Sequence, residues 1–436
     1  MASVLARVRA LDRQQMETIF TSSIFMITAG LTFVNTILLG NALGEAGRGA
    51  VAAAYGNTIV LGWAFQIGVP AAAAYFAKDV SNRRIAMSSW AMTAMFAIPI
   101  AAILIPFYRW QMNGDAFQEF GTDLKLWYIA FIVVNLFNGP FLSAVFWLRG
   151  VGNLVKFNVL LAIPQVLITL GYSVLFVLDR LTVFSALTST FIMIVVGWTF
   201  GLVSTGSLPG RGFSQTTFNE VRHYSLRSWV GNLSFFVSLR IDQMLLVGIV
   251  ATDQLGVYAV AAAFSTLSGP IARGVAQGLL PFVRNAASDA ERLTRIRQSL
   301  RWVSVASAVT LVVIAASAEW FLPFIFNDKF EGAVRPLLLL LPGAFATDVT
   351  QVYTTALSSF NRPEDGSKAQ IASAIATAIG LLVLIRPYGI DGAAITTSIA
   401  YWVALLVSMF YWRRLKGQVL RGEATGNTSS REEVPA

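Results

Sequence analysis

Apolar residues in this chain fall into a dozen blocks of 17 to 29 residues, with most of the charge gathered between them. A bilayer core is crossed by ~20 apolar residues in a helix. Hydrocarbon offers backbone groups no other partner, so an open chain crosses it only as helices. The blocks cover 18–39, 50–77, 85–108, 126–148, 157–178 and 181–203, then 228–250, 255–283, 302–326, 336–360, 369–385 and 390–412. Composition agrees. Only 13% of the 436 residues are charged, against about 25% in a soluble domain. The pattern predicts an all-α membrane protein of 12 transmembrane helices.

Lysine and arginine in alternate connections set the orientation. The side holding the N-terminus carries 23 of them and the opposite side 7, while acidic residues divide 10 and 10. Such a bias places both termini in the cytoplasm. It also accounts for the net charge of +9 without any nucleic-acid partner. The first block is full length and follows Arg7, Arg9 and Arg13, so it reads as a retained helix rather than a leader. Cysteine is absent and His223 is the single histidine, which removes disulfide frameworks, thiol nucleophiles and zinc sites. No Walker A motif is present. No connection is large enough to hold a soluble domain, and 416–436 reads as a disordered cytoplasmic tail.

Residues 47–54 (GRGAVAAA) recur as 256–263 (GVYAVAAA), 209 positions later. Further along, Gln66 and Pro70 match Gln277 and Pro281 at an offset of 211. The repeat divides the chain into an N-terminal lobe, 1–215, and a C-terminal lobe, 216–415, of six spans each. An even number of spans makes the halves parallel, and such transporters hold their site between the halves near the midplane. Gly269, Pro270 and Pro281 in the eighth block, with Pro70 in the second, mark candidate hinges, because proline removes a ladder hydrogen bond. Gly274 and Gly278 also fit ordinary close helix packing.

Four ionisable residues lie well inside apolar blocks: Arg240, Asp242, Arg273 and Asp348. Facing lipid, each would cost about 2.5–3.5 kcal/mol at the bilayer centre. Arg240 is 13 residues from both Arg227 and Asp253, and Asp348 is 13 from Arg335 and 14 from Arg362, so both sit near the midplane. Two readings follow. Arg240 pairs with Asp348 and Arg273 with Asp242 as structural ion pairs, or the arginines face a wet cavity and bind an anionic headgroup. A planar guanidinium suits phosphate through bidentate hydrogen bonds. The first half offers neutral candidates only, among them Gln66 and Asn138, and Gln277 is the counterpart of Gln66. His223, between Arg222 and Tyr224 in the connection between halves, reads as a solvated loop residue.

The segment 239–248 (LRIDQMLLVG), followed by 255–261 (LGVYAVA), resembles the start of the second half of polysaccharide-biosynthesis flippases, of the O-antigen type. These belong to the multidrug/oligosaccharidyl-lipid/polysaccharide exporter superfamily. Leu43-Gly44 with Gly47 and Ala50 resembles the matching pattern between helices 1 and 2. The resemblance implies a V-shaped bundle of two six-helix lobes in the bacterial cytoplasmic membrane. It implies flipping of a polyprenyl-diphosphate-linked oligosaccharide by alternating access, with Arg240 on the pyrophosphate. No cofactor is expected beyond a coupling ion, H+ or Na+. Expected partners are the lipid-linked glycan, membrane lipids, and a polysaccharide polymerase and glycosyltransferases. The alternatives are an ion-coupled multidrug or cation antiporter of the same superfamily, and an integral membrane glycan-assembly enzyme.

Overall fold

A computed structural model describes residues 13–421 apart from 285, 287 and 361. It is helical throughout, with no strand among the described residues. The first half comprises α1 (Arg13–Ala54), α2 (Ile59–Phe65), α3 (Val69–Phe76), α4 (Asn82–Gln111), α5 (Asp115–Glu119), α6 (Gly121–Asn135), α7 (Asn138–Gly150), α8 (Leu154–Val177) and α9 (Val183–Ser204). The second half comprises α10 (Gln215–Leu246), α11 (Thr252–Ser265), α12 (Gly269–Arg284), α13 (Asp289–Phe326), α14 (Val334–Ser359) and α15 (Pro363–Leu420).

The twelve apolar blocks map onto these helices, though not one to one. Length and hydropathy alone pass eight helices as crossings, or nine with the bent pair α11–α12. Two of them are too long for one crossing. α15 has 58 residues, about 87 Å at 1.5 Å per residue, and α1 has 42. Each turns back at a glycine. Gly44 has φ 65°, ψ −170° and Gly389 has φ 54°, ψ −131°, backbone that a Cβ disfavours. Dividing both helices there, and adding α10 with its charged first turns, makes twelve crossings. α15 continues as helix to Leu420, five residues into the segment expected to be a disordered tail, and 422–436 lie outside the described residues.

The second crossing is broken twice rather than kinked at Pro70. A 3-10 turn at Gly56–Thr58 interrupts it first. Ile67 (φ 49°) and Gly68 (φ 72°) then take left-handed backbone, and Pro70 lies in the first turn of the restarted helix α3, where its missing N–H is no loss. The first break is stitched to its surroundings. Asn57 Nδ2 donates to Gln111 Oε1 at 2.8 Å and to the Tyr128 hydroxyl at 3.2 Å, and Gln111 Nε2 donates to the Met244 carbonyl at 2.6 Å. One amide side chain thus ties α4 to α10, the first helix of the second half.

The halves meet through the repeat itself. A Cβ on Gly49 would stand 1.8 Å from the Thr252 carbonyl oxygen, and one on Gly256 would stand 1.9 Å from that of Glu45. The contact is reciprocal. The break at 266–268 falls 210 positions after the interruption at Gly56–Thr58, one from the 209 of the sequence match. The lobes are also interlocked. In α1, Asn41 Nδ2 donates to the Ile325 carbonyl at 2.9 Å and Phe33 packs edge-on to Phe264 at 4.8 Å. In α10, Trp229 Nε1 donates to the Ala64 carbonyl at 3.1 Å and Tyr224 stacks on Tyr75 at 4.6 Å.

The glycine crossing yields a direct test, made clean by the absence of native cysteine. Thr252→Cys, buried in the seam, is expected to react slowly with a maleimide in whole protein. Adding Gly49→Val overpacks the crossing at a cost of about 1–3 kcal/mol, so labelling should accelerate about 5- to 150-fold. Unchanged labelling kinetics would mean that the seam is not held by this contact.

Candidate functional site

α11 ends at Ser265 and the chain restarts as α12 at Gly269 with a bend of 46°. Pro270 occupies the first turn of the restarted helix, so the restart leaves no amide to satisfy there. Two turns apart, Thr266 and Arg273 are the exposed polar residues of this stretch. The Arg273 guanidinium folds back towards its own helix, where a Cβ on Gly269 would stand 3.2 Å from Nη2. By accessible area Arg273 is exposed, yet protein surrounds it closely enough to desolvate it. A hollow reconciles the two observations, since a lipid-facing arginine at this depth is disfavoured.

Arg240 is half-buried on α10, and its Nη1 donates to Gln243 Oε1 at 2.9 Å, one turn on. No carboxylate lies within 4 Å of Arg240 or Arg273 among the described residues, so neither expected ion pair forms. A third guanidinium joins them. Arg48, read from the sequence as part of an outer connection, lies inside the protein with its Nε buried and unpartnered. The cause is the turn at Gly44: the second part of α1 begins there, and Arg48 is already in its first turns. Tyr172 is its neighbour on α8, and Arg240 lies within electrostatic range of both Arg48 and Arg273, as Asp242 does of Arg240 and Asp348 of Arg273. Three cations and two carboxylates therefore share one interior. The sequence signal was available, since Arg48 sits inside the 47–54 repeat.

The two aspartates are differently placed. Asp242 is 4% exposed, and its carboxylate accepts from the Tyr258 hydroxyl at 2.5 Å, Thr397 Oγ1 at 3.1 Å and the Gln243 amide at 2.7 Å. It joins α10, α11 and α15. Asp348 is 2% exposed and accepts from Ser307 Oγ at 2.7 Å, joining α14 to α13. Neither carboxylate reaches a surface where a substrate would touch it.

The neutral candidates divide as well. Asn138 is 8% exposed and begins α7; with Asn135 it presses on Gly62, where a Cβ would stand 2.7 Å from Asn138 Nδ2. That is a packing contact between α7 and α2. Gln66 is half-buried at the end of α2 beside the Ile67–Gly68 break. The backbones of Gln277 and Pro281 are helical in α12, and their side chains lie outside the described residues. His223 is exposed on α10.

Comparison with known proteins follows the geometry. Residues 124–335 match the family model described as polysaccharide biosynthesis protein. A probable low-salt glycan biosynthesis flippase of Haloferax volcanii, Agl15, is 23% identical; the match covers 72% of this chain and 66% of that protein, just under two thirds of its length. Among solved structures, an inward-facing multidrug resistance transporter of the MATE family superposes with a TM-score of 0.73 at 14% identity, over 93% of this chain and 99% of that one. The lipid II flippase MurJ, in an inward closed conformation, superposes at 0.71 and 13% identity, over 92% and 87%. An outward-facing MATE transporter gives 0.64 at 14% identity, over 94% and 97%. The chain shares the fold of these transporters, and just under half of it matches the polysaccharide biosynthesis family model.

Proposed function

We propose that the protein flips a lipid-linked oligosaccharide, its lipid anchor a polyprenyl diphosphate, across the cytoplasmic membrane with both chain ends on the cytoplasmic side. The observation that carries this reading is the exposed Arg273 guanidinium at membrane depth with no carboxylate within 4 Å among the described residues. Arg240 and Arg48 add positive charge to the same interior. A phosphate head entering it meets guanidinium donors with no carboxylate within 4 Å among the described residues, in surroundings of lower dielectric than water, where charge-assisted hydrogen bonds strengthen. The glycan then needs only a wet passage.

The antiporter reading requires the opposite arrangement. A drug cation needs an acid on the cavity wall, and both interior aspartates are covered and spent on hydroxyl donors. The relatives are named flippases and transporters, which favours transport over glycan assembly. Alternating access supplies the mechanism. The seam at Gly49 and Gly256 closes one side, and separation of the same helices opens it while the other side shuts. The two lobes, 1–215 and 216–415, are the moving parts, and a coupling ion, H+ or Na+, biases the exchange. Glycosyltransferases supply the substrate and a polysaccharide polymerase consumes it.

Three variants separate transport from folding. Arg240→Ala is expected to abolish glycan export while the protein stays at its normal level in the membrane, and Arg240→Lys to restore part of it. Arg48→Gln should lower export on the same measurement. Full export by all three would refute the cavity reading and leave the fold untouched. Asp242→Ala should act on stability instead. It strands the Tyr258 and Thr397 hydroxyls at a cost of about 1–3 kcal/mol, so the purified protein should unfold at a lower temperature in a thermal scan.

A further inference from the structure

On the side of the membrane that carries both chain ends, α13 and α15 outrun the bilayer. α13 has 38 residues, of which the apolar block fills only 302–326. Its first turns and the last turns of α15 contribute Ile296, Trp412, Leu415 and Val419 to one apolar cluster. Between them runs a groove of about 440 Å³. Its floor is apolar, formed by Leu293, Ile296, Leu300 and Trp412, and two cations rim it, Arg297 from α13 and Lys416 from α15.

These two cations differ from their neighbours. Arg292 pairs with Asp289 at 3.2 Å, Arg295 with Glu291 at 2.6 Å and Lys368 with Asp365 at 2.7 Å. Arg297 and Lys416 are exposed and have no acid within 4 Å among the described residues. The local acids are thus spent on other partners, and the charge left over converges on one concavity from two helices. Trp302 is 73% exposed five residues further along α13, about 7.5 Å at 1.5 Å per residue, and indole rings settle at the membrane–water interface. The groove therefore lies at headgroup depth.

We propose that this groove is a binding site for one anionic phospholipid, its phosphate on Arg297 and Lys416 and its glycerol and upper acyl carbons on the apolar floor. A free phosphate would use the rim and leave the floor wet, whereas a lipid covers both. The occupant bridges α13 and α15, the two helices that leave the membrane together. The site is separate from the interior cations and does not depend on the transport reading.

The test is lipid binding by the purified full-length protein, followed by native mass spectrometry with dioleoylphosphatidylglycerol and dioleoylphosphatidylcholine as probes. Phosphatidylglycerol should be retained in preference. Taking the attraction of each basic side chain to an anionic surface, Arg297→Gln or Lys416→Gln alone should weaken it about fivefold and the pair together about 30-fold. Arg413→Gln with Arg414→Gln, exposed cations of the same face that do not line the groove, should change it less than about twofold. The single variants carry the result should the double variant fail to reach the membrane. The proposal is overturned if the groove variants bind phosphatidylglycerol as the parent does, or if the Arg413/Arg414 control loses as much. Displacement of the lipid by inorganic phosphate alone would overturn it too, leaving a plain anion site.

Discussion

Bare backbone against bare backbone, at Gly49 and Gly256, is the contact on which the arrangement turns. Helices approach this closely only where both surfaces lack side chains. Arg48 lies one residue from Gly49, so the crossing and this cation are set by the same turn of helix. A seam of small residues can separate without leaving large apolar side chains stranded.

Non-helical backbone at membrane depth survives only where protein or water satisfies it. The chain meets this at two breaks. At Gly56–Thr58 the break is covered: Thr58 Oγ1 returns to the Tyr55 carbonyl at 2.8 Å, and Asn57 reaches Gln111. At Thr266–Ser268 the chain does the same, Thr266 Oγ1 returning to the Ala263 carbonyl at 2.9 Å and Ser265 Oγ to that of Ala262 at 2.9 Å. The two breaks are braced alike.

Carboxylates and guanidiniums of the interior take different roles for a physical reason. A carboxylate has two acceptor oxygens, which hydroxyls and an amide satisfy from within packed protein, as at Asp242. A guanidinium carries five donors on a long stem and is much harder to saturate in a core. Burying the acids and leaving Arg273 exposed is the arrangement that strands the fewest polar atoms.

Hydropathy in the sequence determined that the chain is a bundle of membrane helices, because solvation by hydrocarbon and by water acts on each segment separately. The repeat was legible for the same local reason, through its alanines and glycines. Which charges pair, which face a hollow and which lie at an end are relations between helices far apart in the chain. Arg48 shows the difference: four residues past Gly44, it counts as an outer charge by position and becomes an interior one because that glycine turns the helix back at once. Only packing decided that Asp242 and Asp348 are covered while Arg273 is not, since burial is a property of the neighbours a side chain meets and not of the stretch it comes from.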